Sequence, residues 1–597
     1  MRPLLTKGLA IDALNDVHDR VLETATSETL FPRILELLGA SYEVANEDLD
    51  RIPRVGPVVV VSNHPLGGLD GIMLAALLRR CRPDVKLMAN FLLKKVRYAE
   101  DHMFFVDPFP REQAKRANFT GLRDSLRHLK DGGLLGIFPG NRVSYWQWNR
   151  WCVCDQDWAP NIAQFIRRAA PQVVPIFIEG RNSALFSVAG AIHPLLRTLL
   201  LPREMIRRSR NPRPVRFIVG NAIPFARLKR LTSDADLANF LRMSTYLLRH
   251  RPQAPAVAAP TVPQPVTDAI SGALSPENIE ADIRALPPEA KLLTQGEFEA
   301  YIGTWQQLPH VMQEIGRGRE VSFRAAGGGT GKALDLAPQD EHYHHIFLWH
   351  KTDRTVVGAY RLGLVDAILP KHGVAGLVCS GLFELKPALM PLLKQGVELG
   401  RSYVLPTYQR SYNALLVLWG AILRFVAREP RYRMMFGSVG ISQGDEYAPA
   451  SRAVIVEFLR SQHSSPLSAH VAPRFAYEGM SFEGLRPDEV RTLAASAEET
   501  NTVLSTIESD GKGVPILLKH YLRMNAKMLS FGIWRNHGNA LVSFILADLT
   551  TSDAKLLRRY MGDDGYEAFM AWHHATPPPE SAEPPTEASP HNPQLDN

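Results

Sequence analysis

Residues 58–71 read Val-Val-Val-Val-Ser-Asn-His-Pro-Leu-Gly-Gly-Leu-Asp-Gly, and an apolar stretch follows. Four β-branched residues in a row predict a strand buried on both faces, as in the interior of a parallel sheet. Pro65 and the pair Gly67-Gly68 force a turn, and Asp70 stands where the cap of the next helix falls, which is a purely structural reading. The functional reading is that the turn folds back, so that the Asp70 carboxylate fixes the tautomer of His64. The other ring nitrogen is then free to take a proton from an alcohol.

Working outward, short β-rich runs alternate with helical patterns. Residues 85–88, 104–106, 134–138, 173–178 and 215–219 read as strands, and 71–80, 113–129 and 161–169 as helices. The expected fold of this first part is a three-layer α/β domain with a mostly parallel sheet, whose site lies at the carboxyl ends of the strands. The Pro/Ala-rich stretch 251–270 cannot pack a core and reads as a linker, and 576–597 has the same character and reads as a disordered tail. Two folded domains are expected, 1–250 and 271–575. The second mixes strands (345–349, 355–360, 403–405, 435–439, 540–547) with helices (386–399, 411–427, 451–461, 515–524), an α+β pattern with a hydrophobic cleft.

Composition narrows the function. The chain carries 68 Lys+Arg against 61 Asp+Glu over 597 residues, but residues 1–250 hold 36 against 24, a net +12, leaving about −5 for the rest. The basic half has reason to meet an anionic surface. Residues 192–201, Ile-His-Pro-Leu-Leu-Arg-Thr-Leu-Leu-Leu, followed by Arg203, Arg207, Arg208 and Arg210, suit the interface of an anionic bilayer. Nothing resembling a nucleic-acid-binding motif accompanies this basic stretch, so nucleic acid is not an expected partner. The longest apolar run, 412–427, contains Arg424 and falls short of a spanning helix; a buried helix is expected. The first twenty residues lack an apolar core and carry acids early, so no export is expected. Four scattered Cys do not make a disulfide scaffold, and Cys152-Val-Cys154 lacks a second pair for a metal site.

Three further blocks join the His64…Asp70 segment: His102–Pro108, Phe138-Pro139-Gly140-Asn141-Arg142-Val143-Ser144 and Val173–Gly180. In this order they resemble the glycerolipid acyltransferases over residues 50–225. The resemblance implies that His64 deprotonates a lyso-lipid hydroxyl, which attacks an acyl thioester, that Asp70 orients the imidazole, and that Asn63, Phe138, Pro139, Arg142 and Ser144 contact the acceptor. Neither a metal nor a covalent enzyme intermediate is implied. Two features depart from the family. Five residues separate His64 from Asp70 where four are usual. The third block, usually Phe-Pro-Glu-Gly-Thr-Arg-Ser, has Gly140 in place of Glu and Val143 in place of Arg, with Arg142 one position earlier. A displaced Arg suggests an acceptor head group without phosphate.

In the second half, Phe323–Lys332 has a glycine-rich run but not the spacing of a phosphate loop. His342, His344 and His345 invite a metal reading, yet strand alternation would place His345 on the opposite face from the other two, so no metal is expected. The stretches 340–346, 357–363 and 398–404, with 415–420, 436–442 and 451–452, resemble the acyl-carrier-protein-dependent N-acyltransferases of the Gcn5-related superfamily over residues 321–460. That resemblance implies an oxyanion held by backbone N–H groups of a splayed strand. Glu398 and Glu384 are candidates for base or amine binding, and Arg361, Arg401 and Arg410 for a substrate carboxylate or the carrier's phosphopantetheine. The segment 511–515 and the helix after it are expected to help close the acyl groove.

Nearly the whole chain resembles the bacterial bifunctional ornithine lipid synthases. The implied activity is N-acylation of ornithine with a 3-hydroxyacyl group by the second domain and O-acylation of that lyso-lipid by the first. Both donors would be 4'-phosphopantetheine thioesters of acyl carrier protein, and the enzyme would sit on the cytoplasmic face of the inner membrane. Glycine or lysine as the amino acid, a single active domain, and a non-catalytic membrane-associated protein remain the alternatives.

Overall fold

Strand β2 (Val58–Ser62) is the middle of a seven-stranded sheet, and Val58 to Val61 are completely buried. This computed structural model describes residues 10–95, 98–106, 112–209, 213–251, 267–409, 412–444, 446–493, 496–535 and 537–575. The other strands are β1 (Tyr42–Val44), β3 (Val85–Asn90), β4 (Met103–Val106), β5 (Leu134–Ile137), β8 (Gln172–Glu179) and β9 (Val215–Val219). A separate hairpin pairs β6 (Tyr145–Gln147) with β7 (Cys152–Cys154). The sheet order is β1-β9-β8-β2-β5-β3-β4, parallel except for β8 against β9. Helices α1 (Gly68–Arg79), α2 (Glu112–Lys130), α3 (Asn161–Ala169), α4 (Ala184–Ile192), α5 (Pro194–Ser209) and α6 (Asp234–Leu247) complete the α/β pattern expected for this part. An apolar strand in the middle of a parallel sheet gains burial on both faces, about 1.5–3 kcal/mol per Val as an upper bound.

This unit is not continuous in sequence. It comprises residues 1–259 together with 447–462 and 478–515. The late segments are held by buried polar contacts: Arg242 Nη2 donates to the Gly484 carbonyl at 2.8 Å, and Arg150 pairs with Glu489. Arg251 donates through Nε to Ile507 (2.6 Å) and through Nη2 to Thr506 (2.7 Å). Arg251, expected in the linker, is therefore anchored in the first unit. At the other end, Asp268 N–H donates to the Gly331 carbonyl within the second unit. The rest of the expected linker, 252–266, and the tail 576–597 lie outside the described residues.

The second unit, 260–446, 463–477 and 516–597, is built on an eight-stranded sheet. Its strands are β10 (Lys291–Gln295), β11 (Phe298–Thr304), β12 (His344–His350), β13 (Thr355–Leu364), β15 (Gly396–Val404), β16 (Met434–Ser442), β18 (Lys527–Trp534) and β19 (Ala540–Asp548). A short ladder pairs β14 (Phe383–Leu385) with β17 (Val471–Pro473). Neighbours in the large sheet are antiparallel except β15 and β16. Residues 386–399, expected as one helix, form only short turns to Leu393 and then strand β15. Gly396 disfavours a continued helix, the β-branched and aromatic residues of Val397–Val404 favour the strand, and pairing with β13 and β16 outweighs the helical spacing of the leucines before it. The apolar run 412–427 is the helix α7 (Tyr412–Arg428), with Val417, Leu418, Trp419, Ala421 and Ile422 completely buried. Among the described residues no helix is long and apolar enough to cross a membrane.

Candidate active sites

The turn after β2 carries the first site. Gly67 adopts a left-handed φ of +82°, which lets the chain double back, and an added Cβ there would also strike Leu201. The fold-back absorbs the extra residue between His64 and Asp70 and brings His64 Nδ1 to 3.0 Å from Asp70 Oδ2. The two atoms are in contact but off the line of a good hydrogen bond, a common state for catalytic pairs without substrate. Asp70 is fully buried, and its Oδ2 accepts from the N–H groups of Leu66 (2.7 Å) and Gly67 (3.0 Å). Burial raises its pKa, while the His64 contact and the two N–H groups oppose that rise. The imidazole stacks on Phe138 at 4.3 Å. Phe138 follows β5, the neighbour of β2, so the site lies at the carboxyl ends of adjacent parallel strands.

A second carboxylate supports this turn. Asp155 Oδ1 accepts from the His64 N–H (3.2 Å) and the Ser144 hydroxyl (2.5 Å), and Oδ2 accepts from Trp158 Nε1 (3.2 Å). The Ser144 N–H donates to the His64 carbonyl at 2.8 Å. An added Cβ on Gly140 would come within 3.0 Å of Asp155 Oδ2, so the carboxylate fills the space that the glycine vacates. Asp155 was invisible to motif reading because it comes from beyond β7; the Gly140 substitution was the available signal that a carboxylate had to enter from elsewhere. Ser144 is thus engaged by Asp155. Asn63 clamps β8 through both its amide oxygen to Ile178 N–H (2.7 Å) and its amide nitrogen to the Ile178 carbonyl (2.9 Å). Both act on the scaffold here. Pro139 is buried, Val143 is buried beside Gly67, and Arg142 is exposed. Of the block His102–Pro108, Asp107 and Pro108 lie outside the described residues.

In the second unit β15 and β16 pair from Gly396↔Met434 to Leu399↔Gly437 and then part, β15 running on to Val404 and β16 to Ser442. Their outer edges are taken by β13 and β19, so the peptide groups on the inner edges beyond Leu399 and Gly437 face a gap. Leu399, Trp419, Phe436, Gly437, Tyr521 and Ile545 line a cavity there of about 20 Å³. That is room for about one water, so an acyl chain needs side chains to move. Tyr521 and Met524 bring the helix after Pro515 to this cavity, whereas 511–515 belongs to the first unit.

A buried charge cluster also lies in this unit. Arg319 Nη1 and Arg361 Nη1 both donate to Asp340 Oδ1 at 3.1 Å, and Arg401 Nη2 lies 3.4 Å from Asp335 Oδ1. Desolvation opposes ionisation of Asp340, but the two guanidiniums outweigh it and hold the carboxyl at about 2. Arg319 Nε and Nη2, Arg361 Nε and Asp335 Oδ2 are buried without hydrogen-bond partners. The structure therefore unites Arg361 and Arg401, and adds Arg319, Asp335 and Asp340, which sequence reading did not single out. Glu398 is buried, and its oxygens accept from Tyr343 OH, Val378 N–H (3.0 Å) and Cys379 N–H (2.7 Å). Its charge is bound up in ordering the 376–379 loop. Glu384 is exposed on β14, and Arg410 lies outside the described residues. His342 lies in a 3-10 turn, stacked on His372, and His345 Nε2 faces the Asp340 carbonyl at 2.9 Å. The glycine run 327–331 wraps a protein carboxylate, since Glu320 accepts from Thr330 N–H, Thr330 Oγ1 and Gly331 N–H.

Residues 14–254 match the family described as Acyltransferase, and 319–419 match the Acetyltransferase (GNAT) domain. A glycine N(alpha)-acyltransferase of Phocaeicola vulgatus is 30% identical over 261 residues, 40% of this chain and 76% of that protein. This chain belongs to the acyltransferases, with a GNAT domain in its second half. A lyso-glycine lipid O-acyltransferase of the same organism is 25% identical to the acyltransferase described here over 221 residues, 36% of this chain and 75% of that protein. Among solved structures, the lysophosphatidate acyltransferase PlsC of Thermotoga maritima aligns at 16% identity and a TM-score of 0.25, covering 42% of this chain and 97% of its own.

Proposed function

We propose that this acyltransferase makes an aminolipid in two steps. The GNAT unit transfers a 3-hydroxyacyl group from an acyl-carrier-protein thioester to the α-amine of ornithine, and the first unit esterifies the 3-hydroxyl of the product. The observation that carries this reading is the union in one chain of a His–carboxylate pair suited to an alcohol and a splayed-strand unit suited to an amine. Relatives named for N-acylation of glycine and for O-acylation of lyso-glycine lipid support it.

In the O-acyl step His64 takes the hydroxyl proton as the oxygen attacks the thioester carbon; the C–S bond breaks, and the thiolate recovers a proton from the imidazolium. Asp70 stabilises that imidazolium, and Asp155 holds the turn that presents it. In the N-acyl step the neutral amine attacks the thioester carbon, the oxyanion is met by peptide N–H groups in the β15–β16 gap, the C–S bond breaks, and the amine proton is relayed through water to the departing thiolate. Three guanidiniums against two carboxylates leave one positive charge, which suits the amino-acid carboxylate, and the free Oδ2 of Asp335 suits the ornithine side-chain ammonium. Glycine is the second reading, favoured by the names of the relatives.

The membrane is proposed as the place of work, on the cytoplasmic face where acyl carrier protein is found. Leu185, Val188 and Ile192 of α4 and Leu196 and Leu199 of α5 are exposed, Ile192 by 74%, and this apolar face supports the proposal. Expressing the full chain in a bacterium without aminolipids, followed by mass spectrometry of lipid extracts, tests the function. An ornithine lipid is expected; a glycine lipid selects the second reading, and no new aminolipid refutes both.

A further inference from the structure

Arg197 has no role in the chemistry above, yet its position is costly. It lies on α5 with only 5% of its surface exposed, and Nη1 is buried without a hydrogen-bond partner. Among the described residues no carboxylate pairs with it; its guanidinium lies over the Tyr145 ring at 4.1 Å. Space for its stem is made by Gly190 of α4, where an added Cβ would come within 2.7 Å of Arg197 Cγ and Cδ. Burial lowers its pKa, with a smaller push from nearby Arg142, and the Tyr145 side chain, which also hydrogen-bonds it, only partly opposes that, so the protein holds a cation where it is poorly compensated. A buried charge without an ionic partner is strongly destabilising, and a bound anion would offset that cost.

The surroundings say what that is. Tyr145 follows Ser144, whose N–H bonds the His64 carbonyl. One helical turn beyond Arg197, Leu201 covers Gly67 in the His64–Asp70 turn. Arg197 thus borders the O-acyl site from the side of α5. In an N-(3-hydroxyacyl) amino acid six bonds separate the hydroxyl oxygen from the carboxylate carbon, about two extended residues, or roughly 7 Å. A single buried cation suits a monoanion, and a planar guanidinium suits a carboxylate.

We propose that Arg197 binds the free carboxylate of the N-acylated amino acid while His64 acts on its hydroxyl, so that the O-acyl unit selects its acceptor by a carboxylate. The proposal rests on the aminolipid reading above. Arg142, exposed at the same place, adds long-range attraction.

The test uses the purified full chain, an acyl thioester donor, and two acceptors, N-(3-hydroxyacyl)ornithine and its carboxyl methyl ester. For the wild type, the ester is expected to raise the acceptor KM tenfold to a hundredfold. Arg197→Met is expected to raise the KM for the free acid by the same factor, with kcat within a few-fold, and to show no further loss with the ester. Arg197→Lys recovers part of the KM. Because the variant removes an unpaired buried charge, its Tm is expected to stay level or rise. The assignment is overturned if Arg197→Met still distinguishes acid from ester, or if it loses kcat and Tm at unchanged KM, which marks a packing role. It is overturned too if lysophosphatidate proves the better acceptor and depends on Arg197, which marks a phosphate site. If the wild type acylates neither acceptor nor their glycine counterparts, the aminolipid reading itself fails and takes this inference with it.

Discussion

His64 and Asp70 show what one side chain contributes beyond its motif. Replacing His64 by Ala removes the only proposed base of the O-acyl step, and cells expressing it are expected to accumulate the mono-acylated lipid alone, read by mass spectrometry. Asp155→Asn keeps the shape but removes the charge that holds the His64 N–H and the Ser144 hydroxyl. A fall of about tenfold to a hundredfold in O-acyl kcat is expected, with N-acylation unchanged, since a misplaced base costs rate even when it is present. The His–Asp pair was legible because it is local, six positions apart on one turn. Asp155 was not, because it reaches the site from a different part of the chain, and only the vacancy at Gly140 hinted at it. The same holds for Arg319, Asp335 and Asp340, which are spread along the chain and meet the predicted Arg361 and Arg401 only when β13 and β15 are paired in the folded sheet.

At the scale of elements, the observed β2, β3, β4, β5, β8 and β9 of the first unit lie where the sequence predicts them, whereas the short β1, β6 and β7 were not predicted. A further exception is 386–399, where leucine spacing predicts a helix and sheet pairing produces β15; propensity is a weak prior when an edge is open for pairing. The turn before α1 depends on one glycine. Gly67→Ala forces a Cβ into a left-handed conformation and against Leu201, and is expected to cost on the order of 1–2 kcal/mol, seen as a lower Tm, together with loss of O-acyl activity. The exposed face of α4 carries the membrane proposal. The double change Val188→Glu and Ile192→Glu is expected to abolish co-sedimentation with anionic vesicles while leaving the Tm unchanged, because both side chains are more than half exposed.

For the whole molecule, two consequences follow from how the chain is distributed. A fragment ending at residue 259 lacks 447–462 and 478–515, leaving buried Arg150, Arg242 and Arg251 without Glu489, Gly484, Thr506 and Ile507. It is expected to aggregate or melt well below the full chain, although it spans every motif of the O-acyl site. The second unit should be acid-labile. Burial holds His345, His520 and His537 at about 4, below the ordinary value. Between about pH 6.5 and 4 the unfolded chain therefore binds protons that the folded one does not, and stability falls with acidification by up to about 1.4 kcal/mol per pH unit for each. Asp340, held at about 2, adds a loss as pH falls from about 4 to 2. The Tm measured from pH 7 to pH 4 should fall, and His520→Gln should flatten part of that slope. The sequence by itself determined the class of each half, the His64–Asp70 pair and the net basic charge of the first part, because strand pattern, turn chemistry and charge are carried by neighbouring residues. Only the tertiary structure decided which late segments complete the first unit, which carboxylates and guanidiniums share a site, and which glycine-rich loop holds a carboxylate instead of a phosphate. Those depend on contacts between residues up to hundreds of positions apart, and pattern along the chain carries no record of which distant groups burial brings together.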